Sequence, residues 1–316
     1  MSDQSHEIND VAPTSLSHLI GQVGVIEQVK VALEAAFADQ RRFDSGLLVG
    51  PPGVGKSALA SVIAQEMATE FHEVIGQSIK SVADLNGLLL AANSKDVVHL
   101  DEAHELKKEY QTSLYLALDK GAIFVRSGQK PQAIPINDFT LLLSSTDEHC
   151  LLQPLRDRMK LVLRFDFYSA EELTTLLRQR ARALCWPVDE EVFPLIAGRS
   201  RGTPRLALRL LQSCRRVCRA EGKSKVTLGH LERACQLEGI DGLGLGPTEQ
   251  AYLTFLANGA SRLNVIASMM GLPPRTVSQV TEPFLLRAGL IAKDDTGRRQ
   301  LTALGRVNLS QSKGVQ

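Results

Sequence analysis

Eight residues, GPPGVGKS from Gly50 to Ser57, constrain this chain more than any other stretch. They follow the apolar run GLLV from Gly46 and open the helical pattern ALASVIAQEMA from Ala58. The match to G-x-x-x-x-G-K-[ST] sits in the strand-loop-helix setting that a nucleotide-phosphate cradle requires. Gly50, Gly53 and Gly55 can take backbone conformations closed to residues with a Cβ, so successive N–H groups can point inward at an anion. The positive end of the next helix strengthens such a cradle. Lys56 is placed to reach the β and γ phosphates, and the Ser57 hydroxyl to hold Mg²⁺. The expected nucleotide contacts are Gly50, Pro51, Pro52, Gly53, Val54, Gly55, Lys56, Ser57 and Ala58, with ATP and Mg²⁺ as the cofactors.

A phosphate cradle hydrolyses nothing without a metal ligand and a base. DVVHLDEAH, from Asp96 to His104, is an apolar run ending in two carboxylates. On a strand beside the P-loop strand, Asp101 would bind Mg²⁺ through water, joining Ser57 as metal ligand, and Glu102 would polarise the attacking water. The letters DEAH also name a helicase superfamily built of two tandem lobes. The residues that follow here are too few for a second lobe, which excludes that reading.

FTLLLSSTDE, from Phe139, is a further buried strand ending in Ser144, Ser145 and Thr146, whose hydroxyls could position water or touch a γ-phosphate. In LRDRM, Arg156 and Arg158 follow a proline-initiated turn. They are either an ordinary surface pair or a group that completes a site across a subunit boundary. Between these motifs, AIFVRSGQKPQAIPIN from Ala122 reads as a projecting β-hairpin.

The first 15 residues are polar, and MSDQSHEIND holds no secretory signal; the apolar runs are broken well before ~18 residues, so no membrane span is expected. Hydrophobic residues at 44% and charged residues at 22% describe a soluble protein of 316 residues with room for two or three cores. Five scattered cysteines suit reduced thiols in a cytoplasmic protein, and the Cys214, Cys218 pair lacks the second pair that zinc would need. The net charge of +1 is unevenly spread: residues 1–167 carry 15 basic and 22 acidic side chains, 168–240 carry 13 and 8, and 241–316 carry 8 and 5. A basic later half hints at a polyanion partner.

These patterns divide the chain into a mobile start (1–15), an α/β ATPase domain with a parallel sheet (16–168), a small all-α domain (169–241) and a C-terminal unit (242–316). The second opens with a capping box at SAEE and carries Thr203, Pro204 and Arg205 at the start of its third helix, where Arg205 could swing onto phosphates. Glycine-rich IDGLGLG, from Ile240, marks the next boundary. The last unit reads as three short helices, the third starting near Thr276, then a strand, a charged glycine turn and a second strand. That is a winged helix-turn-helix, a form that binds DNA and also proteins.

With these parts in this order the chain resembles the AAA+ family and, within it, the RuvB type of Holliday-junction branch-migration motor. The resemblance rests on LIGQ (19–22), GPPGVGKSALA (50–60), LDEAH (100–104), FTLLLSST (139–146), PLRDRM (154–159), RGTPR (201–205) and EPFLLRAGLI (282–291). It implies a homohexameric ring with helical lid and winged-helix domains that pulls DNA, duplex or four-way junction, through itself beside a RuvA-like partner. Carried over, Leu19 and Ile20 lie by the adenine, Ser145 or Thr146 is the first sensor, Arg158 the arginine finger with Arg156 beside it, and Arg205 the second sensor. Ile134 and Ile136 would meet the partner protein; Lys293, Arg298 and Arg299 would meet DNA. The chain departs from the family where Leu19 replaces a tyrosine, where the first-sensor stretch reads SST, and where the wing reads DDTGRR. The alternative is an AAA+ remodelling or switch module whose winged helix binds protein.

Overall fold

A computed structural model describes residue 8, residues 11–127 and residues 130–313. Most of the expected mobile start and the tip of the hairpin, Gly128 and Gln129, lie outside the described residues. The chain divides into two compact units: Met1–Leu176 with Thr203–Arg205, and Leu177–Gly202 with Leu206–Gln316.

The first unit is built on strands that read as unbroken apolar runs, the pattern of a parallel sheet covered on both faces. They are β1 (Gly46–Val49), β2 (Phe71–Ile75), β3 (Val97–Asp101), β6 (Thr140–Ser145) and β7 (Leu161–Arg164), with the β4 (Ala122–Ser127) and β5 (Lys130–Pro135) hairpin between β3 and β6. The sheet order is β2-β3-β6-β1-β7, all neighbours parallel. Helices Val23–Ala38 and Lys56–Glu66 bury Val25, Val29, Leu33, Leu59 and Ile63 with Leu48 and Leu142 of the sheet. The opposite face packs Leu47, Val98, Leu100, Leu141 and Leu143 against helices Val82–Ala91 and Lys108–Lys120. Ser81 caps the first of these through Asp84, as its position before Val82 predicts. Parallel sheets place ligands at the carboxyl ends of their strands, where β1, β3 and β6 here deliver Gly50, Asp101 and Ser145.

The hairpin corrects one expectation. Ile134 stands opposite Ile123 on the antiparallel partner strand, and with Ile136 it packs against the ATPase core. The apolar groups that the hairpin exposes are Phe124 (52%) and Val125 (37%). Period-2 alternation turns Phe124, one position off the inward-facing Ile123, outward, whereas Val125 shares the Ile123 side and is the less exposed of the two.

The second unit contains helices Val192–Gly198 and Leu228–Glu238 and, from Leu206 on, the helix Pro204–Ala220, then a winged helix. Its helices Pro247–Leu256 and Leu263–Met270 precede a continuous run in which Pro274–Thr276 passes into a π turn, Val277–Thr281, and then Glu282–Arg287. Pro283 has no N–H to give the preceding turn, which accounts for the widening. Strands β8 (Ser261–Arg262), β9 (Ile291–Lys293) and β10 (Arg298–Leu301) form a sheet of order β8-β10-β9. A closing helix, Ala303–Lys313, extends beyond what the sequence pattern predicts.

The glycine-rich IDGLGLG is a packed joint rather than a loose tether. At Gly244, with φ +78°, a Cβ would stand 2.0 Å from the Arg199 carbonyl oxygen. Arg201 donates to the Gly244 carbonyl at 2.8 and 2.6 Å and to Glu249 at 2.8 Å, and stacks on Phe284 at 4.9 Å. Cys214 and Cys218 are both buried helix positions. Burial pushes the Cys214 thiol up to about 12, which suits packing rather than metal binding.

Candidate functional site

The P-loop owes its shape to close approaches. A Cβ at Gly50 would lie 2.6 Å from the Phe165 carbonyl oxygen, so only glycine lets β1 leave the sheet here. Gly53 and Gly55 take φ of +78° and +100°. Lys56 is 6% exposed, and its ammonium donates to the carbonyls of Gly50 (2.8 Å) and Pro51 (2.9 Å). Burial lowers its pKa, while the nearby charges of Glu102 and Asp101 oppose that shift. A phosphate entering this loop would offer the ammonium stronger, charge-assisted acceptors than those carbonyls.

Beside the loop, the Ser57 hydroxyl donates to Asp101 Oδ2 at 3.1 Å. A hydroxyl and a carboxylate this close are the hard oxygen donors that suit Mg²⁺, so the residues fit the metal that the motif implies. The other Asp101 oxygen accepts the Glu102 N–H at 3.0 Å. Glu102 itself sits at φ +48°, an uncommon conformation for a residue with a side chain, and one that active sites tolerate.

Two histidines, His104 and His99, organise this end of the sheet. His104 Nδ1 hydrogen-bonds Ser145 Oγ at 3.3 Å and stands 3.3 Å from Glu102 Oε2, a buried oxygen with no hydrogen-bond partner among the described residues, which sets the expected base beside the expected sensor. Ser145 also accepts the Asp147 N–H at 3.0 Å, whereas Thr146 is exposed beyond the strand end. Of the two sensor candidates, Ser145 is the one that His104 sets beside Glu102. Ser144 faces elsewhere: its hydroxyl meets His99 Nε2 at 2.7 Å, and His99 Nδ1 meets Glu73 at 3.1 Å. His99 is fully buried, and its pKa is lowered by that burial against the pull of Asp101 and Glu73. It ties β2, β3 and β6 together below the site.

On the adenine side, Leu19 packs on the core with Leu16 and Tyr168, and Ile20 is partly buried. Tyr168 is a further residue that the sequence reading missed. Its hydroxyl donates to the Val54 carbonyl at 3.2 Å, and its ring would lie 2.8 Å from a Cβ at Gly21. Burial pushes its phenol up to about 12. An aromatic residue in FDFYS, just before the lid helix, is its only sequence signal. The Arg205 backbone N–H donates to the Gly53 carbonyl at 3.3 Å, which sets the start of its helix beside the P-loop.

The two arginines of PLRDRM have other partners. Arg158 forms an ion pair with Asp119, with Nε 2.6 Å from Oδ1, bonds the Pro154 carbonyl and lies over Tyr115 at 5.1 Å. Arg156 bonds Gln153 and approaches Glu148 at 3.7 Å. Neither contacts the P-loop of its own chain among the described residues.

The wing corrects a second expectation. Arg299 is 12% exposed in its side chain and bonds Glu282 at 2.8 and 3.2 Å, while Lys293 reaches the same carboxylate at 3.3 Å. Glu282 is fully buried and also accepts from the Tyr252 hydroxyl at 2.9 Å. Of the three basic groups expected on DNA, Arg299 is drawn in, Lys293 reaches Glu282 with its side chain still 42% exposed, and Arg298 is exposed without an ion pair among the described residues. Asp294 is a turn residue: it accepts from Thr296 N, Thr296 Oγ1 and Arg298 N at 2.8 to 2.9 Å.

Three family models cover nearly the whole chain: the Holliday junction DNA helicase RuvB P-loop domain over residues 11–165, the RuvB AAA lid domain over 168–241 and the RuvB C-terminal winged helix domain over 242–310. A Holliday junction branch migration complex subunit RuvB of Kosmotoga olearia is 35% identical over 294 residues, covering 90% of this chain and 86% of that one. Its counterpart in Salinispora tropica is 36% identical over 307 residues, covering 94% and 87%. Among solved structures, the Thermotoga maritima RuvB Holliday junction branch migration motor superposes with a TM-score of 0.83 at 32% identity, covering 94% of this chain and 97% of that one.

Proposed function

We propose, from the premise that the chain belongs to the RuvB Holliday junction helicase family, that it is an ATP-driven branch-migration motor which draws duplex DNA through a homohexameric ring. The observation that carries this reading is the convergence of Lys56, Ser57, Asp101 and Glu102 at one end of a parallel sheet, with Arg205 against Gly53.

In this scheme the P-loop N–H groups and Lys56 bind and orient the β and γ phosphates, Tyr168 and Leu19 wall the base, and Arg205 reads the phosphates from the lid side. Ser57 and Asp101 would hold Mg²⁺, which when bound would neutralise charge developing on the phosphates. Glu102 accepts a proton from the attacking water, and His104 aligns that carboxylate with Ser145. Arg158 acts in trans: assembly draws it from Asp119 to the γ-phosphate of a neighbouring subunit. The exposed Phe124 and Val125 of the hairpin suit an apolar patch on a RuvA-like partner better than the half-buried Ile134 and Ile136 do. A motor that draws DNA in this way is expected to work in the cytoplasm; separately, no described helix is long and apolar enough to cross a membrane.

The test is ATP turnover by the full chain without DNA, with duplex and with a four-way junction. Stimulation by DNA, greatest with the junction in the presence of the partner protein, supports the reading. Turnover indifferent to any DNA contradicts it, and would favour a remodelling module whose winged helix holds protein.

A further inference from the structure

The wing sorts its basic side chains between two faces. β10 runs antiparallel to both neighbours, with Arg298 opposite Arg262 on β8, and Arg299 opposite Ser261 on β8 and Lys293 on β9. Successive residues of a strand point to opposite faces, whereas residues paired across strands share one. Arg298 and Arg262 therefore lie on one face, and Arg299 and Lys293 on the other. The second face is turned inward, and its two cations meet the buried Glu282 carboxylate.

The outward face holds an unfavourable arrangement. Two guanidinium groups directly opposite one another in a sheet repel, and such a pair destabilises unless something anionic offsets it. Both arginines are exposed, and among the described residues no carboxylate forms an ion pair with either. Asp295, the acid nearest Arg298 in sequence, forms no ion pair with it, and Asp294, which feels the Arg298 charge, spends its carboxylate on three hydrogen bonds within its own turn. Arg262 lies outside every motif, at the edge of a two-residue strand.

We infer that Arg262 and Arg298 form a phosphate-binding pair on the wing, and that Glu282 sets this polarity by holding Arg299 and Lys293 on the inner face. The pair takes the sugar-phosphate backbone of duplex DNA, without regard to base sequence. This rests on the reading of the winged helix as the DNA-binding unit.

The experiment measures duplex binding by the full chain against salt concentration. Arg262→Ala and Arg298→Ala are each expected to lower the slope of log affinity against log salt by about 0.9, and the double variant by about 1.8, equally on unrelated sequences. Arg299→Met and Lys293→Met combined with Glu282→Gln, which removes the buried carboxylate and both cations that meet it, is expected to keep the parental slope and, as a check on folding, the parental melting temperature within a few degrees. Arg299→Lys is expected to do the same. A parental slope in Arg262→Ala beside a lowered one in Arg298→Ala overturns the pair. A lowered slope in either Arg299 variant overturns the inward assignment. Parental slopes in both outer variants overturn the inference while the motor reading stands, since only DNA-indifferent ATP turnover by the parent contradicts that reading.

Discussion

The Ser57 hydroxyl bonds the Asp101 carboxylate at 3.1 Å, joining the first turn of the P-loop helix to the end of β3, two segments 44 residues apart in the chain. Asp101→Asn keeps the size of the side chain and its hydrogen bond to Ser57 but removes the negative charge that would face Mg²⁺. ATP turnover is expected to fall by roughly 10²-fold or more, with a raised Mg²⁺ requirement, because the ion loses a carboxylate interaction of several kcal/mol. Titration of turnover against Mg²⁺ reads this, and an unshifted requirement would remove Asp101 from the metal site.

Lys56→Ala leaves the Gly50 and Pro51 carbonyls without their donor and the phosphates without their cation. Nucleotide affinity is expected to fall by roughly 2–3 kcal/mol, the scale of a charge-assisted hydrogen bond. Equilibrium binding of a fluorescent ATP analogue measures it, and unchanged affinity would discard the phosphate cradle.

Tyr168 separates ring packing from its hydroxyl. Tyr168→Phe loses one bond to Val54, worth about 1 kcal/mol, and is expected to bind nucleotide within a few-fold of the parent. Tyr168→Ala opens the space against Gly21 and Gly55 and is expected to weaken binding about tenfold or more. Equal affinities in both variants would take the ring out of the base-binding wall.

Acid should loosen the winged helix through Glu282. Burial alone would raise its pKa, but the bonds from Arg299, Tyr252 and Lys293 and the charge of Arg299 bring it below its usual 4.5. A carboxyl lowered in the folded state contributes stability that is fully present above the unfolded value and lost as pH falls through the folded one. Melting temperatures of the parent are therefore expected to drop below about pH 4.5, and Glu282→Gln to flatten that fall. Parallel curves for the two proteins would show that Glu282 carries none of it.

The nucleotide site was almost wholly legible because its chemistry is bound to local spacing. GPPGVGKS, LDEAH and RGTPR each carry strand ends or helix starts within a few residues, and their side chains arrive where those elements end. Tyr168 was not legible, and neither was the meeting of His104 with Ser145, since the partners Val54 and Ser145 lie 114 and 41 residues away and are reached only through the sheet order. Arg299 failed for the same reason: a basic residue in a charged turn reads as solvent-facing until its register against Lys293 and the buried Glu282 is known. The hairpin's inward face was hidden too, because alternation tells which isoleucines share a side but not which side meets the core.

Glu102→Gln keeps shape and loses the proton acceptor. It is expected to bind ATP like the parent and to turn over roughly 10²–10⁴-fold more slowly. Arg158→Ala, freed of its pairing with Asp119, is expected to bind ATP normally and lose roughly 10³-fold or more in turnover, the scale of an arginine finger. Near-parental turnover in either variant would reassign that role.

The claim at the centre of this account is that each working site takes Glu102 from one subunit and Arg158 from the next. Turnover should therefore be measured as Glu102→Gln and Arg158→Ala proteins are mixed under conditions in which rings exchange subunits. Every subunit in such a ring is defective, but an Arg158→Ala subunit beside a Glu102→Gln neighbour has an intact base facing an intact finger. The account predicts activity well above that of either protein alone, greatest near equal proportions and approaching zero at both ends. Turnover that stays at the level of the two separate proteins at every ratio would contradict it.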